Sequence, residues 1–392
     1  MFLRSPSGGR PSPSSPDPRV AEPAHLLHVF STFCPAGQQV RTVLLMDAFG
    51  DRFRHTVVAT DGNTEAMGIV RSANVQTLPW APPEGPMAGV RFCRDLLKRV
   101  EPDLLLTYNW GSMDAVLAAR SARLNRHVHH EDGFNADEAD RLHSRRNWAR
   151  RVSLRSTDLV VPSENLLRIA RKTWRLSRSH LIPNGIDANR FRRDAAAGAA
   201  FREAHGIPAE AFVLGAVGHL RPVKNFPRLV RAAADALLPG DQPLVVCVVG
   251  EGPERGAIEA AAAAAEGRIQ VVLTGHLTEL AAAYSAFDAM AITSDSEQQP
   301  VSLLEAMAAE VPVVATDVGD VSQTLPPEGR AFVVPLGPRV EADLAGAIGR
   351  LAGAADQRGD LAAAGLERVR ERYSLDAMVA TYSVLYDAAL RR

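Results

Sequence analysis

The chain has few cysteines, almost no net charge and no long apolar run. Its three cysteines, Cys34, Cys93 and Cys247, form no CxxC pair, which disfavours a disulfide framework or a zinc cluster and favours a reducing compartment. A net charge of −1 over 392 residues gives no bulk attraction to nucleic acid or to an anionic membrane. No stretch approaches the roughly 20 apolar residues that span a bilayer. We therefore expect a cytoplasmic protein that binds no nucleic acid and meets a membrane only at its surface.

Residues 1–24 are rich in proline, serine, glycine and arginine. They lack the apolar core of a secretory signal, so we predict a disordered tail. After the tail, short apolar runs alternate with helical patterns, including helices over Asp137–Arg155 and from Leu366 to the C-terminus. The predicted strands are Leu26–Phe30, His55–Thr60, Asp103–Thr107, His127–His130 and Asp158–Pro162, then Phe212–Val217, Leu244–Val249, Ile269–Leu273, Ala289–Thr293 and Val311–Thr316.

Most of these strands are apolar throughout, which is typical of parallel sheets buried on both faces. The alternation predicts an α/β protein with two Rossmann-like, doubly wound domains that face across a ligand cleft. The predicted domains are 25–190 and 191–365. Residues 366–392 are predicted to form a C-terminal helix that packs back on the first domain.

The stretch from Ser294 to Asp320 carries the most informative chemistry. Glu297 lies in a loop after a predicted strand, and Glu305 follows eight positions later in a helix whose first turn suits Pro300. The N-terminus of such a helix attracts phosphate, and carboxylates accept hydrogen bonds from sugar hydroxyls. On spacing alone, a loop charge and a solvated helix residue explain the two glutamates equally well.

Four motifs resemble those of the retaining glycosyltransferase family 4, also called glycosyl transferases group 1, which has the GT-B fold. The pair of Glu297 and Glu305, followed by Ala-Met-Ala, resembles the family's E-x7-E signature. The other three are Gly218–Asn225 (GHLRPVKN), Gly250–Arg255 (GEGPER) and Ile182–Asp187 (IPNGID). Their order and spacing are similar to the family's across essentially the whole C-terminal half.

The resemblance implies roles for individual residues. Glu297 would bind the transferred sugar and act in catalysis, Lys224 would contact the donor diphosphate, and Glu305 would hold the ribose. Further donor contacts are implied at Gly37, Arg221, Gly250, Gly252, Glu254, Gly275, Val301 and Ser302. The donor is a substrate, so no cofactor is expected, and no metal either, because GT-B enzymes do not need one to hold the diphosphate.

The sequence departs from the family pattern in three places. The arginine common after the first glycine of the loop is His219 here, and Arg221 is the candidate replacement. The usual Gly-Phe-Gly after the first glutamate is Gln298-Gln299-Pro300, which leaves the identity of the sugar open. In the loop Ser31–Arg41, the usual Gly-Gly is Ala36-Gly37.

The segment His127–Phe134 (HVHHEDGF) resembles the place where the family often carries His-Gly near the sugar and acceptor. Matching on the glycine selects Asp132, and matching on the histidine selects His130. Either side chain would orient or deprotonate the acceptor hydroxyl. Asp132 is slightly favoured, and both assignments stay open at this point.

Arginines are dense from Arg141 to Lys172. This run is either a solvated helix face or a patch for peripheral contact with the inner membrane face or a lipid-linked phosphate acceptor. The resemblance implies a retaining hexosyltransferase that moves a sugar from a nucleotide-sugar donor to a hydroxyl of a glycan or glycolipid, in surface polysaccharide or lipopolysaccharide assembly. The alternatives are a nucleotide-sugar epimerase of the same fold and a non-catalytic partner subunit.

Overall fold

The computed structural model describes residues 22–82, 84–85, 87–133, 143–240 and 242–392. Its strands in the N-terminal domain are β1 Ala24–Phe30, β2 Phe53–Ala59, β3 Val75–Thr77, β4 Leu104–Tyr108, β5 His127–His130, β6 Asp158–Val161 and β7 Ser179–Leu181. Those of the C-terminal domain are β8 Phe212–Val217, β9 Leu244–Val249, β10 Gln270–Gly275, β11 Ala289–Ile292, β12 Val313–Thr316 and β13 Val333–Val334.

These strands form two parallel sheets. The first has the order β3-β2-β1-β4-β5-β6-β7, and the second has the order β10-β9-β8-β11-β12-β13. The central strands are buried along almost their whole length, as β9 shows with six buried residues in LVVCVV, because helices cover both faces of such sheets. The predicted fold of two Rossmann-like α/β domains is confirmed.

Helices connect the strands. In the N-terminal domain they are α1 Gly37–Phe49, α2 Ala88–Val100, α3 Met113–Ser121, α4 Ser144–Ser153 and α5 Glu164–Lys172. They continue as α6 Ala195–Ala204, α7 Phe226–Ala234, α8 Arg255–Ala264, α9 Ala281–Ala286, α10 Val301–Ala308, α11 Val321–Thr324, α12 Val340–Gly353, α13 Ala355–Arg372 and α14 Leu375–Leu390.

Helix α5 illustrates how local sequence sets an element. Ser163 precedes it with extended backbone, and its Oγ accepts a hydrogen bond from the backbone N of Leu166 at 3.1 Å. Such a cap satisfies one of the N–H groups that the first turn leaves without a helical partner. Leu166, Leu167 and Ala170 form the buried face, and Arg171 lies in the last turn. The helix therefore begins at a fixed residue.

The C-terminal segment differs from its prediction. The sequence predicts one helix from Leu366, but α13 ends at Arg372 and α14 begins at Leu375. Ser374 separates them with extended backbone, and its Oγ accepts from the backbone N of Ala377 at 3.3 Å. A serine cap competes with helix continuation, so it starts a new helix here.

Helix α14 packs on the N-terminal domain. Its Met378, Tyr382 and Tyr386 lie in the same buried cluster as Leu26 and Phe30 of β1. The predicted helix over Asp137–Arg155 is only partly described, since residues 134–142 lie outside the described ranges and α4 covers 144–153. Among the described residues, no helix is long and apolar enough to cross a bilayer.

Every buried histidine of the described ranges lies in the N-terminal sheet: His25, His28, His55, His127, His129 and His130. They are joined in polar pairs, such as His28 Nε2 to His55 Nδ1 at 2.9 Å. Burial lowers the pKa of His55 to about 4 and that of His127 to about 3. His55 and His127 therefore stay neutral at mildly acidic pH, where the same residues of an unfolded chain would take up protons.

Candidate active site

The central strands of each sheet carry the predicted site residues at their carboxyl ends. Strand β1 lies between β2 and β4, and β8 lies between β9 and β11, so the strand order reverses at both places. Open α/β sheets bind ligands in the crevice at such a switch point. The loops after β8 and β11 contain Lys224 and Glu297, and Gly37 begins α1, the helix that follows β1.

Three loops of the C-terminal domain are joined backbone to backbone. The N–H of Gly250 donates to the carbonyl of Gly275 at 2.9 Å, and the N–H of Glu254 donates to that of Leu220 at 3.0 Å. A Cβ on Gly250, whose φ is +144°, would collide with the carbonyl oxygen of Gly218. The structure thus brings four predicted donor contacts into one set of loops: Gly250, Gly252, Glu254 and Gly275.

Lys224 and Glu297 form an ion pair at the mouth of the second sheet. Lys224 Nζ lies 2.5 Å from Glu297 Oε1, and the two side chains are 25% and 11% exposed. Ser294 Oγ donates to the same carboxylate oxygen at 2.7 Å. Thr293 Oγ1 donates to the Lys224 carbonyl at 3.2 Å and so ties the two loops together. Because an ammonium has three N–H donors, Lys224 can contact an anion while it stays paired with Glu297.

Glu305 lies inside α10 with a phenolic partner. Tyr284 OH donates to Glu305 Oε2 at 2.7 Å. Burial raises the pKa of Glu305, and the hydrogen bond from Tyr284 and the charge of Arg190 oppose this shift only in part. A carboxylate held in this way is suited to accept hydrogen bonds from ligand hydroxyls, because those bonds would offset its desolvation.

The N-terminus of α10 begins one residue later than predicted. Pro300 is the residue before the helix rather than within its first turn, and its φ of −66° fits that place. Val301 and Ser302 open the helix. Their N–H groups have no acceptor within the helix by its geometry, and such groups attract anions.

His219 and Arg221 are both exposed in the loop after β8. The N–H of Arg221 donates to the carbonyl of His219 at 2.7 Å. Partial burial and the charge of Arg221 lower the pKa of His219, while a backbone hydrogen bond at Glu251 opposes this. That Arg221 replaces the family's arginine as a donor ligand stays a prediction.

The wall formed by the N-terminal domain centres on Asp132. Its carboxylate pairs with the Arg41 guanidinium, with Arg41 Nη2 to Asp132 Oδ2 at 2.8 Å, and also accepts from Gln38 Nε2. Its N–H donates to Asn109 Oδ1 at 2.8 Å. Burial opposes the charge of Arg41, but the Asp132 carboxylate more than compensates and raises the pKa of Arg41. A carboxylate held in such a pair can accept a hydrogen bond from a hydroxyl and so orient it.

The structure does not bring His130 to this wall. Its side chain is 1% exposed and stacks on Tyr108 at 4.5 Å and on Tyr382 at 5.8 Å between ring centroids. Burial and the charge of Arg41 lower the pKa of His130 well below its ordinary value. An acceptor could touch this imidazole only after the stacked rings moved apart.

The two walls approach each other at the start of α1 and beside Gly133, among other places. A Cβ on Gly37, at the start of α1, would lie 3.5 Å from Val301 Cγ2 at the start of α10. A Cβ on Gly133 would lie 3.5 Å from Gln298 Cγ. The N-termini of α1 and α10 therefore lie close together across the cleft, and each favours a nearby anion.

Several residues of this site were not predicted from sequence. Gln38 and Arg41 lie three positions apart on α1, on one helix face, but nothing in the sequence indicates that they pair with Asp132. Both residues lie in the loop motif Ser31–Arg41, and the resemblance implied no role for either of them. The other unpredicted residues are Asn109, Asn184, Tyr284, Ser294 and Asp320. In the described ranges, no group of three or more His, Cys, Asp or Glu side chains is arranged to hold a metal ion.

Two Rossmann-like domains whose switch-point loops face each other define the GT-B class of fold. Residues 35–190 match the family Glycosyltransferase Family 4, and residues 199–365 match the family Glycosyl transferases group 1. The chain belongs to the family 4 glycosyltransferases.

Curated relatives match parts of the chain. It is 32% identical over 148 residues to 2-deoxystreptamine glucosyltransferase of Streptomyces kanamyceticus, which is 37% of this chain and 38% of that protein. It is 31% identical over 185 residues to the lipopolysaccharide core biosynthesis glycosyltransferase LpsD of Rhizobium meliloti, which is 47% of this chain and 52% of LpsD. The match thus spans about half or less of each relative.

Solved structures share the fold over nearly the whole chain. HepE of Anabaena, in complex with UDP and glucose, superposes with a TM-score of 0.78 at 17% identity, over 93% of this chain and 100% of HepE. Sucrose-phosphate synthase from Thermosynechococcus elongatus gives 0.75 at 20% identity, over 93% and 98%. These likenesses show that the GT-B fold is shared.

Proposed function

We propose that this chain is a retaining, metal-independent glycosyltransferase that moves a sugar from a nucleotide-sugar donor to a hydroxyl of a glycan or lipid-linked acceptor. The observation that carries this proposal is the Lys224–Glu297 ion pair, 2.5 Å long, beside the N-terminus of α10. The pair brings together, at one switch point, a cation that can bind a diphosphate and a carboxylate that can bind a sugar.

The donor would lie along the C-terminal domain. Its diphosphate would sit between the first turn of α10 and Lys224, where N–H groups and a positive charge converge. Its ribose would bind Glu305, and its base would lie beside the joined loops of Gly250 and Gly275. This placement uses groups that the fold already holds in fixed positions, so little reorganisation is needed when charge develops on the leaving diphosphate.

In the transfer step, the bond between the anomeric carbon and the diphosphate oxygen breaks, and the acceptor oxygen bonds to that carbon. Retention with same-face attack places the acceptor hydroxyl beside the departing oxygen, which can take its proton. Asp132 would orient the hydroxyl, because Arg41 holds its carboxylate in place. Glu297 would face the sugar as positive charge builds on it. We assign the acceptor-side role to Asp132 and not to His130, which is buried.

An assay of donor consumption with and without acceptor tests this proposal. UDP-, GDP- and ADP-sugars are incubated with the protein alone, and then with lipid and glycan extracts as acceptors. A transferase consumes one of these donors at a rate that rises strongly with acceptor and falls in Glu297→Ala. Rapid isomerisation of a donor without acceptor would establish an epimerase instead. No turnover together with tight nucleotide binding would point to a partner subunit.

The basic run beyond Arg141 divides into buried and exposed parts in the described ranges. Arg150 is 0% exposed and pairs with Glu131 at 3.0 Å, so it is structural. On α4 the exposed residues include Arg145, Trp148 and Arg151, and Trp148 is 67% exposed. Spacings of three residues place them within one arc of the helix. An exposed tryptophan between arginines suits an anionic membrane surface, and we propose peripheral contact there.

Vesicle binding tests this membrane contact. We expect Arg145→Gln/Arg151→Gln to lower affinity for phosphatidylglycerol vesicles by roughly tenfold or more at low salt, since each basic residue contributes about 1 kcal/mol. Trp148→Ala should also weaken binding severalfold. Leu237→Ala is the matched control, because Leu237 is 88% exposed in the C-terminal domain. Equal binding by wild type and all variants would show that this helix face is only solvated.

A further inference from the structure

Asp320 of the C-terminal domain caps a helix of the N-terminal domain. Its Oδ2 accepts a hydrogen bond from the backbone N of Glu164 at 2.5 Å, and its Oδ1 accepts from that of Asn165 at 3.1 Å. These are the first two residues of α5, whose N–H groups have no helical acceptor. Asp320 itself is 6% exposed. A carboxylate at a helix N-terminus stabilises the contact through both hydrogen bonds and the dipole.

Two glutamines cross the cleft beside this carboxylate. Ser163 Oγ donates to Gln298 Oε1 at 3.0 Å. The backbone N of Asn184 donates to Gln299 Oε1 at 2.6 Å, and Asn184 Nδ2 donates to the Gln299 carbonyl at 3.0 Å. The glutamines stand where the family pattern has glycine and phenylalanine, so the two contacts made by their side-chain oxygens arise from a departure in this chain.

The cross-cleft contact is linked directly to Glu297. The N–H of Asp320 donates to the Gln298 carbonyl at 2.8 Å. Gly319, with a φ of +55°, lies so close to the Glu297 carbonyl that a Cβ there would collide with it. Movement of Asp320 away from α5 would therefore displace the backbone that holds Glu297.

We propose that Asp320 is a positioning residue for sugar transfer, which holds the Glu297 loop against the acceptor wall by capping α5 across the cleft. The inference rests on the proposed function. Apart from Gly37, the proposed donor contacts lie within the C-terminal domain, so loss of the contact should weaken donor binding much less than it slows transfer. Transfer slows, because Glu297 and Asp132 are no longer held at reacting separation.

The contact is suited to a cleft that must open to exchange substrates. Burial raises the pKa of Asp320, although the backbone N–H groups of Asn165 and Glu164 oppose the shift. The desolvation of the carboxylate therefore offsets part of what the cap contributes. A contact of modest net strength can hold the cleft closed and still allow it to reopen.

A proline substitution removes the contact from the other side. Glu164→Pro deletes the N–H that Asp320 Oδ2 accepts, and proline is tolerated at the first position of a helix. Ser163, with φ −128° and ψ 147°, already has the backbone that precedes a proline. Glu164→Ala keeps the N–H and is the matched control. Asp320→Ala and Asp320→Asn remove the charge, and Asp317→Asn is their control, since Asp317 is exposed in the same loop.

The variants are compared by small-angle scattering without ligand and by steady-state kinetics. We expect Glu164→Pro and Asp320→Ala to increase the radius of gyration and to lower the transfer kcat by about tenfold. The dissociation constant of the donor should stay within twofold. Asp320→Asn should be intermediate, and the two control variants should behave as wild type.

An unchanged radius of gyration and kcat in both Glu164→Pro and Asp320→Ala would overturn the inference. So would a loss of donor affinity that equals the loss of kcat, since that marks general damage to the fold. If wild type binds no donor, the proposed function fails. The scattering comparison, which needs no ligand, still shows whether Asp320 holds the cleft closed.

Discussion

Replacement of Lys224 by methionine is expected to lower kcat/KM for sugar transfer by roughly 10² to 10³, the usual loss when one preorganised charge-stabilising group is removed. The variant deletes the cation expected at the leaving diphosphate and leaves the Glu297 carboxylate, 11% exposed, without its 2.5 Å partner. Both effects act at the same point of the reaction. Lys224→Arg should recover only part of the activity, because a planar guanidinium does not fit the place of a compact ammonium.

A second ion pair, which lies between α7 and α12 of the same domain, provides the control. Arg231 pairs with Glu341 at 2.5 Å, with 48% and 39% of the side chains exposed. Exposed pairs of this kind contribute little to stability, so Arg231→Met should retain wild-type kinetics. Combining Lys224→Met with Glu297→Gln should cost far less than the sum of the two single losses, since the residues act as a unit. Wild-type transfer by Lys224→Met would contradict the assignment.

The N-terminal domain is expected to lose much of its stability between pH 7 and pH 5. Burial lowers the pKa of five of its histidines: His25, His28, His55, His127 and His130. The unfolded chain binds protons at these sites below about pH 6.5, and the folded chain does not. Their stabilising effect is therefore complete above pH 6.5 and is lost as pH falls towards the folded-state pKa values.

His55 and His127 give the scale of this effect. With folded-state pKa values of about 4 and about 3, each should remove about 2 kcal/mol from the free energy of unfolding on going from pH 7 to pH 5. Together that is roughly 4 kcal/mol of the 5–15 kcal/mol typical of a domain, and the other three histidines act in the same direction.

Tryptophan fluorescence can follow this loss selectively, because all four tryptophans, Trp80, Trp110, Trp148 and Trp174, lie in the N-terminal half. The urea midpoint should fall sharply from pH 7 to pH 5. His55→Gln should reduce this pH dependence by about 2 kcal/mol, whatever its effect at pH 7. His276→Gln, at an exposed site of the other domain, should not change it. A urea midpoint that does not change with pH would contradict the claim that these imidazoles are buried in their neutral form.

Much of the fold could be predicted because its strands are continuous apolar runs. β8 and β9 have the predicted bounds. A parallel strand that is buried on both faces is apolar throughout, so the ends of the apolar run mark the ends of the strand. The short strands β3, β7 and β13, of two or three residues, carry too little pattern to predict. The helix break at Ser374 was missed because the apolar periodicity continues on both sides of it.

The site residues that lie within one local sequence motif could be predicted. Glu297, Glu305 and Lys224 lie in motifs that could be read directly, and the structure places Lys224 beside Glu297. Partners far apart in sequence could not be read in the same way. Arg41 meets Asp132 across 91 residues, and Asp320 meets Glu164 across 156. Such contacts depend on how the sheets and loops pack, and the spacing of residues along the sequence does not indicate that packing.

The central claim is that a nucleoside diphosphate binds against Lys224 and α10, and isothermal titration calorimetry tests it most directly. UDP, GDP and ADP are each titrated into wild type, Lys224→Met and Glu305→Gln at pH 7.5. The account predicts that at least one nucleotide binds wild type with one site per chain. Both substitutions should weaken that binding at least tenfold. Absence of binding for all three nucleotides, or equal affinity in all three proteins, would contradict it.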